Sequence, residues 1–166
     1  MTARAAVIGA GSWGTALANL LAGKGTPTVV WSYEPEVADD INRAHENRKY
    51  LGGIALDASL RATPEMAEAL RGADLVVAVS PSHTMRGVMA QAAAYIEPGA
   101  LVVSASKGIE NESLKTMDEV LADVLPVELG VACTYLSGPS FALEVGLEHP
   151  TAVTIASADE GAAERA

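Results

Sequence analysis

Three glycines near the start of the chain stand at a spacing that suits the binding of a pyrophosphate. Gly9, Gly11 and Gly14 directly follow the apolar segment Ala5–Ile8 and precede a segment rich in Ala and Leu. In such a strand-to-helix turn the first glycine permits the tight turn, the second lets the backbone approach the phosphates, and the third lets the helix pack closely on the strand. The free N–H groups and the dipole of the helix N-terminus then face the anion. This pattern predicts a dinucleotide site.

Glycine spacing by itself is weak evidence, because 15 of the 166 residues are glycine and such a motif arises by chance. Its context is more specific. The motif lies between a predicted strand and a predicted helix that has Leu17, Leu20 and Leu21 on one face. We therefore favour a dinucleotide site over a purely structural glycine-rich turn.

The end of the second predicted strand normally decides which nicotinamide dinucleotide binds. An acidic residue there holds the ribose 2′-OH of NAD, whereas an arginine accommodates the 2′-phosphate of NADP. Here Glu34 comes slightly late, the segment Trp31–Glu34 contains no arginine, and Ser32 is compatible with either form. Tyr33 suits a position beside the adenine and an exposed loop position equally well. The sequence leaves the choice between NAD and NADP open.

Three further loops follow predicted strands and carry side chains that suit a bound dinucleotide or phosphate. Ser80–Thr84 follows the most apolar strand and is expected to line the dinucleotide. Lys107 lies just past another strand end, where a cation suits a phosphate or a carbonyl oxygen, although an ordinary surface lysine is the alternative. Ser140 can cap a helix whose free N–H groups receive a phosphate, although capping alone would also explain this serine.

The elements that position these loops alternate between strand and helix along the whole chain. This order predicts an α/β fold of the Rossmann type, with a doubly wound, mostly parallel sheet and helices on both faces. The predicted strands are Ala5–Ile8, Thr28–Trp31, Leu60–Ala62, Asp74–Ser80, Leu101–Ser104, Val131–Leu136 and Thr151–Ile155. The predicted helices are Gly14–Lys24, Glu36–Glu46, Pro64–Arg71 with Thr63 as its N-cap, Thr84–Ile96, and Ser113–Leu125 with Leu114 facing inward.

The composition is that of one globular domain, with 49% hydrophobic and 19% charged residues. The formal net charge of −10 argues against nucleic acid and anionic membranes as partners. No apolar run is long enough to cross a membrane, and a strand this close to the N-terminus leaves no room for a signal peptide. The lone Cys133 suits a reducing compartment and a buried position rather than a nucleophile. We expect a cytoplasmic protein without a bound metal.

Taken together, these segments resemble the bacterial form of the NAD(P)-dependent glycerol-3-phosphate dehydrogenase family. The Lys-Gly and Ser-Gly-Pro-Ser-Phe-Ala runs are more specific than the glycine motif, because they separate this family from other dehydrogenases of the same fold. Asn47–Leu51 also looks like the family's loop after the second helix, although Gly52 stands where the family usually has proline. The matching runs are Gly9–Ala18, Ser80–His83, Ser104–Glu110 and Leu136–Val145.

The resemblance implies roles for individual residues in binding NAD(P)H and a phosphorylated substrate. Ser12 and Trp13 would contact the cofactor pyrophosphate, and Lys107 would touch both the nicotinamide and the substrate. The expected cofactor contacts are Gly9, Gly11, Ser12, Trp13, Gly14, Ser32, Tyr33, Ser80, Pro81, Lys107 and Ala142, and the expected substrate contacts are Lys107, Gly138 and Ser140.

The resemblance further implies that the chain is the cofactor-binding part of a longer enzyme. We expect residues 1–156 to form the NAD(P)-binding domain and residues 157–166 to begin a linker or helix to a helical substrate domain. That second domain would carry the lysine that exchanges a proton at the substrate oxygen, so no catalytic residue is expected before Ala166. The isolated chain would bind dinucleotide but turn over negligibly.

The activity implied for the whole enzyme is reduction of dihydroxyacetone phosphate to sn-glycerol 3-phosphate by hydride transfer from NAD(P)H, for glycerophospholipid synthesis. A homodimer is one assembly open to the full-length enzyme. Two other functions stay open. One is a stand-alone dinucleotide-binding module that senses the cofactor or regulates a partner, and the other is a dehydrogenase of the same superfamily that acts on a hydroxy acid.

Overall fold

A sheet of parallel strands with one antiparallel edge forms the middle layer of the molecule. The computed structural model describes residues 3–127 and 132–166. Within these residues the strands are β1 (Ala5–Ile8), β2 (Thr28–Trp31), β3 (Arg61–Thr63), β4 (Leu75–Ala78), β5 (Leu101–Ser104), β6 (Ala132–Ser137) and β7 (Thr154–Ala156). Their order across the sheet is β3-β2-β1-β4-β5-β6-β7, and β7 runs antiparallel to β6. The predicted Rossmann-type fold is confirmed.

Helices cover both faces of the sheet, because neighbouring residues of each strand face opposite apolar clusters. The helices are α1 (Ser12–Gly23), α2 (Pro35–Ala44), α3 (Met66–Leu70), α4 (Ser82–Ala92), α5 (Met117–Val124), α6 (Ala142–Gly146) and α7 (Glu160–Arg165). In β1, Val7 belongs to a buried cluster with Leu17 of α1 and Ile41 of α2, whereas Ile8 belongs to the opposite cluster with Met85 of α4. In the described parts of the chain, no helix combines the length and apolarity needed to cross a bilayer.

The central position of β1 creates the crevice in which a ligand can bind. β1 pairs with β2 on one side and with β4 on the other, so the chain leaves the centre of the sheet in opposite directions. In sheets of this kind, ligands bind outside the carboxyl ends of the strands at that point. The glycine loop follows β1 and Ser80 follows β4, so both predicted loops lie at the crevice.

The first and third glycines of the motif are required by packing. A Cβ atom built on Gly14 would lie 1.8 Å from the carbonyl oxygen of Gly9. One built on Gly9, where φ is +123°, would lie 2.9 Å from the carbonyl oxygen of Val79. A Cβ on Gly11 would have no atom within 4 Å. Gly11 is therefore not needed to pack the chain, and its open side is free for a ligand.

The helix predicted at Pro64–Arg71, with Thr63 as its N-cap, is wrong at its start. α3 is shorter, and its N-cap is Glu65. Thr63 is held in β3 because it pairs with Trp31 of β2, which keeps its backbone extended. Its hydroxyl still accepts a hydrogen bond from the backbone N–H of Glu65 at 3.1 Å and donates to Glu68 at 2.7 Å. The side chain therefore supports the turn that leads into the helix rather than capping it.

The helix predicted at Ser113–Leu125 is also too long at its N-terminus. α5 begins at Met117, where Thr116 as the N-cap and Glu119 in the first turn form a reciprocal capping box. The preceding loop folds back on itself through a hydrogen bond from the backbone N–H of Glu110 to the carbonyl oxygen of Lys115 at 2.9 Å. Leu114, predicted to face inward, has a φ of 57° and is 69% exposed. The Thr-x-x-Glu spacing of Thr116 and Glu119, which marks this helix start, was present in the sequence.

Other predicted boundaries shift by a few residues for local reasons. α1 begins two residues early, because Gly11 is its extended N-cap, and α2 ends two residues early, where His45 adopts a left-handed φ of 49°. α4 begins directly after Pro81. β7 begins at Thr154, later than predicted. Val131, at the predicted start of β6, lies outside the described residues.

The contact between Gly14 and Gly9 predicts a large effect of adding one methyl group. We expect Gly14→Ala to lower the free energy of unfolding by about 3 kcal/mol, because the new Cβ would overlap a backbone oxygen. Gly23→Ala is the matched control in the same helix: its Cβ meets nothing within 4 Å, and it should leave stability unchanged or raise it by up to about 1 kcal/mol. Urea unfolding of both variants tests this, and equal effects would contradict it.

Candidate dinucleotide-binding site

The carboxyl ends of β1, β2, β4 and β5 open onto one cleft with a volume of about 880 Å³. The loops that follow these strands line it, together with the start of α6. The predicted residues found in the lining are Gly9, Gly11, Ser12, Trp13, Gly14, Ser32, Tyr33, Ser80, Pro81, Lys107, Ser140 and Ala142. Gly138 lies outside the lining, but its carbonyl oxygen accepts a hydrogen bond from Lys107.

The start of α1 presents backbone donors to the cleft. The first N–H groups of a helix have no acceptor within the helix, and no side chain caps α1 at Gly11. The space beside Gly11 is open, so an anion can approach the N–H groups of Ser12 and Trp13 closely. The residues present fit the pyrophosphate of a dinucleotide.

Trp13 forms part of the cleft wall and also packs against the apolar cluster that contains Leu17. Its indole Nε1 is buried and has no hydrogen-bond partner among the described residues. Trp31 differs, because its Nε1 donates to the carbonyl oxygen of Pro64 at 2.9 Å. Both tryptophans line the cleft, so the fluorescence of each can report on a ligand there.

The loop after β2 turns one predicted side chain inward and the next outward. Ser32 is 2% exposed, and its hydroxyl donates to the carbonyl oxygen of Glu34 at 2.8 Å. Tyr33 is 84% exposed and meets the ring of Trp31 edge to face, with 6.4 Å between ring centroids. Ser32 thus shapes the loop, and Tyr33 offers an open aromatic face at the rim of the cleft.

Glu34 lies in the cleft lining with both carboxylate oxygens engaged, which the sequence did not indicate. Lys49 Nζ donates to Oε1, and Tyr50 Oη donates to Oε2 at 2.7 Å. The hydrogen bond from Lys49 is the main reason that the pKa of Glu34 lies below its ordinary value, and Tyr50 adds to the effect. We call these three residues the Glu34 cluster.

Asn47 links the glycine loop to the loop that carries the Glu34 cluster. It is fully buried, and its Nδ2 donates to the carbonyl oxygen of Ala10 at 2.9 Å and to Thr15 Oγ1 at 2.8 Å. Its Oδ1 accepts a hydrogen bond from the backbone N–H of Tyr50 at 3.1 Å. The prediction of site residues missed Asn47, although it begins the segment Asn47–Leu51 that resembles a family loop.

Lys107 lies where the loops after β4, β5 and β6 meet. Its Nζ is exposed and donates to the carbonyl oxygen of Gly138 at 2.9 Å. The preceding Ser106 donates to the carbonyl oxygen of Ser80 at 2.6 Å, which ties two of these loops together. Gly108 has a φ of +103°, as expected for a glycine that turns the chain here. Among the described residues, the ammonium group has one backbone acceptor, so it keeps further donors for a ligand.

Ser140 does not cap the helix that follows it, contrary to the sequence-based expectation. The N-cap of α6 is Phe141, and α6 has no side-chain cap. Ser140 is drawn back by the turn instead, since its backbone N–H donates to the carbonyl oxygen of Gly138 at 3.0 Å and its hydroxyl lies 3.5 Å from the same oxygen. The hydroxyl lines the cleft and can turn toward a ligand.

An ion-pair network anchors the loop that follows β5 and contains Lys107. Arg86 of α4 donates to both carboxylate oxygens of Glu110 at 2.9 Å and reaches Asp123 of α5 at 3.1 Å. Arg86 is the main cause that lowers the pKa of Glu110, and Ser113 contributes as well. Lys115 also contacts Asp123. The network fixes the far end of the loop that begins at β5.

Other candidate chemistry is weaker in the described residues. Cys133 is partly buried, and burial raises the pKa of its thiol, which disfavours the nucleophilic thiolate. Residues 3–127 and 132–166 contain no group of three or more His, Cys, Asp or Glu side chains placed to hold a metal ion.

Comparison with known proteins identifies the family of this chain. The family model described as NAD-dependent glycerol-3-phosphate dehydrogenase N-terminus matches residues 4–163. The chain belongs to this family. A glycerol-3-phosphate dehydrogenase [NAD(P)+] from Geobacter sulfurreducens is 52% identical over 163 residues, which are 98% of this chain and 49% of that protein. One from Bacillus velezensis is 44% identical over 161 residues, or 97% of this chain and 47% of that protein.

Solved structures of glycerol-3-phosphate dehydrogenases share the fold. The enzyme from Coxiella burnetii superposes with a TM-score of 0.89 at 33% identity, covering 99% of this chain and 49% of that one. The enzyme from Saccharomyces cerevisiae gives 0.83 at 28% identity, covering 95% and 48%. The chain thus spans about half the length of the glycerol-3-phosphate dehydrogenases that it matches.

The buried position of Asn47 predicts a joint loss of stability and dinucleotide affinity. Asn47→Ala removes three hydrogen bonds from a fully buried group and should cost about 2 kcal/mol in the free energy of unfolding. Asn42→Ala is the control, since it removes two hydrogen bonds between α2 and Ala62 of β3, away from the cleft. Urea unfolding measures the stability of both variants. NADH titration should show weaker NADH binding in Asn47→Ala alone. Equal NADH affinity in both variants would contradict the link.

The lowered pKa of Glu110 predicts a loss of stability in acid. A carboxylate whose pKa is depressed by folding stabilises the native state above its ordinary pKa of 4.5, and this contribution disappears as the pH falls through the folded-state value. The free energy of unfolding should therefore fall below about pH 4.5, and less steeply in Glu110→Gln than in the wild type. Glu112→Gln removes the same charge from an exposed neighbour in the same loop and is the matched control. Unfolding curves at several pH values test this, and an unchanged slope in Glu110→Gln would contradict it.

Proposed function

We propose that this chain is the dinucleotide-binding half of an NAD(P)-dependent glycerol-3-phosphate dehydrogenase, which interconverts dihydroxyacetone phosphate and sn-glycerol 3-phosphate. The observation that carries the proposal is the convergence of the glycine loop, Lys107 and Ser140 on one cleft. Membership of the family supports the same reading. The glycine loop suits an anionic pyrophosphate, and Lys107 is a cation in the lining of the same cleft.

In this proposal the chain binds and orients the cofactor along the cleft. The N–H groups at the start of α1 hold the pyrophosphate, and Tyr33 lies beside the adenosine end. Ser80, Pro81 and Ala142 line the part that leads toward Lys107. When bound, the nicotinamide exchanges a hydride with the substrate. The residues of this chain supply the position and the electrostatic field for that transfer rather than the reacting atoms.

Lys107 and Ser140 form the substrate-facing part of the cleft in this proposal. Lys107 is already oriented by the carbonyl oxygen of Gly138, so its remaining donors can contact a phosphate or the substrate oxygen without reordering the loop. Ser140 adds a hydroxyl that can donate to the same ligand. A positive charge at this place stabilises negative charge that develops on the substrate oxygen during reduction.

In this proposal, the residue that exchanges a proton with the substrate oxygen lies in the part of the longer enzyme that this chain does not span. We propose that the dinucleotide-binding domain ends at residue 156, with residues 157–166 leading toward that part.

The glycerol-3-phosphate dehydrogenase would work in the cytoplasm, since a single cysteine, Cys133, suits a reducing compartment. A homodimer of the full-length enzyme stays a prediction.

The first experiment is a titration of the chain with NADH and NADPH, followed by tryptophan fluorescence. Binding should quench the emission of Trp13, because this side chain lines the cleft at the pyrophosphate end. The quench should persist in Trp31→Phe and be smaller in Trp13→Phe, where Trp31 is the remaining tryptophan in the cleft lining, while calorimetry still detects binding to both variants. Absence of saturable binding of either dinucleotide to the wild type would contradict the proposed function.

Gly11→Ala tests the proposed pyrophosphate contact separately from folding. The added Cβ projects into open space, so thermal unfolding should match the wild type. The same methyl group stands where the phosphates approach, and NADH affinity should fall by about tenfold or more. Wild-type NADH affinity in a folded Gly11→Ala variant would place the pyrophosphate elsewhere.

Lys107→Met tests the proposed substrate contact. In the presence of NADH, the chain should bind dihydroxyacetone phosphate, and nuclear magnetic resonance shifts near Lys107 and Ser140 should saturate with the ligand. Lys107→Met should abolish these shifts, and Lys24→Met, an exposed lysine at the end of α1, should not. A 2-oxo acid, the oxidised form of a 2-hydroxy acid, in place of dihydroxyacetone phosphate should produce no saturable shifts. The opposite preference would identify a different dehydrogenase.

A further inference from the structure

The Glu34 cluster places a carboxylate, an ammonium group and a phenol at the rim where the adenosine end of a dinucleotide would lie. Glu34 and Tyr50 line the cleft. Lys49 Nζ and Tyr50 Oη occupy one carboxylate oxygen each. The side chains of Lys49 and Glu34 are 48% and 27% exposed, so both lie within reach of a ligand from solvent.

The position normally used to choose between NAD and NADP is not available in this chain. In folds of this class, an acid at the end of β2 accepts a hydrogen bond from the ribose 2′-OH, and an arginine nearby accommodates a 2′-phosphate. Here Ser32 stands at that place, but it is buried and its hydroxyl is used by Glu34 within the loop. The choice therefore falls to the next polar groups along the rim, which are those of the Glu34 cluster.

The Glu34 cluster contains groups with opposite preferences for a 2′-phosphate. The carboxylate of Glu34 repels a phosphate and can accept a hydrogen bond from a ribose hydroxyl. Lys49 and Tyr50 are donors and suit the phosphate. An ion pair this exposed is weakly held, so a phosphate can take the place of the carboxylate on Lys49.

We propose that Glu34 and the 2′-phosphate of NADP(H) compete for Lys49 and Tyr50, and that this competition sets the preference between the two dinucleotides. NAD(H) binds with the Glu34 cluster intact. NADP(H) binds after the Glu34 carboxylate leaves Lys49, and Lys49 then pairs with the phosphate. This inference deepens the proposed function and rests on it for the placement of the adenosine.

Two short nucleotides isolate this end of the cleft. Adenosine 5′-monophosphate and adenosine 2′,5′-bisphosphate differ by the 2′-phosphate alone and carry no nicotinamide. Their affinities for the chain can be measured by calorimetry. Lys49→Met should weaken binding of the bisphosphate by about tenfold, because one charge-assisted hydrogen bond is lost, and should change binding of the monophosphate by less than about twofold. Lys24→Met makes the same substitution at an exposed lysine of another loop and should leave both affinities unchanged.

Glu34→Gln tests the competing carboxylate. It removes the charge and keeps the length of the side chain, so affinity for the bisphosphate should rise several-fold relative to the monophosphate. Asp39→Asn removes the same charge from the exposed face of α2 and should not change this ratio. In the double variant with Lys49→Met, the gain from Glu34→Gln should disappear, because the phosphate has then lost its partner.

Each result bears on the inference in a defined way. If Lys49→Met weakens both nucleotides equally, or Glu34→Gln leaves the ratio unchanged, the competition is overturned. If the wild type and variants give the expected nucleotide ratios but the wild type does not bind NADH or NADPH, the proposed function fails, and what stands is the competition between Glu34 and a 2′-phosphate for Lys49. A wild type that binds neither nucleotide contradicts both.

Discussion

The close contact between α1 and the turn after β1 is the constraint on which the cleft depends. With Gly14 lying directly against the carbonyl oxygen of Gly9, the start of α1 sits over the carboxyl end of the central strand. A side chain at Gly14 would push the helix away and carry its free N–H groups with it. The same turn is also held by Asn47, whose Nδ2 donates to the carbonyl oxygen of Ala10 and to Thr15 Oγ1. Packing and hydrogen bonding thus fix the place where an anion can be received.

An acidic chain can form such a place because the relevant field is local. The formal net charge is −10, which disfavours anions at long range. At the cleft, the start of α1 and Lys107 belong to the same lining. The backbone N–H groups of α1 are neutral, so they attract an anion without needing a counter-charge when the cleft is empty. Elsewhere, the guanidinium of Arg86 is already engaged by Glu110 and Asp123. Arg86 therefore anchors a loop, whereas Lys107 is the cation that the proposed function assigns to ligand contact.

The loops of the cleft hold one another mainly through side chain to backbone hydrogen bonds. Ser106 joins the loop after β5 to the loop after β4, and Lys107 joins it to the turn at Gly138 after β6. Each bond connects loops from strands that are neighbours in the sheet. The order of the strands therefore decides which loops meet, and a few polar side chains then set their distances. The function proposed above follows from this convergence more than from any one residue.

The sequence by itself determined the fold class, the glycine loop and about half of the residues that line the cleft. These features have local signals, since apolar runs, glycine spacing and strand ends are read from neighbouring residues. It also contained the capping box of Thr116 and Glu119, which outweighed the apolar spacing that suggested a longer helix. Only the tertiary structure decided how Asn47 joins the glycine loop to its neighbouring loop and how the Glu34 cluster forms at the cleft. Their partners are as many as 37 residues away along the chain, and such contacts exist only once β1, β2 and the loop after α2 are brought together.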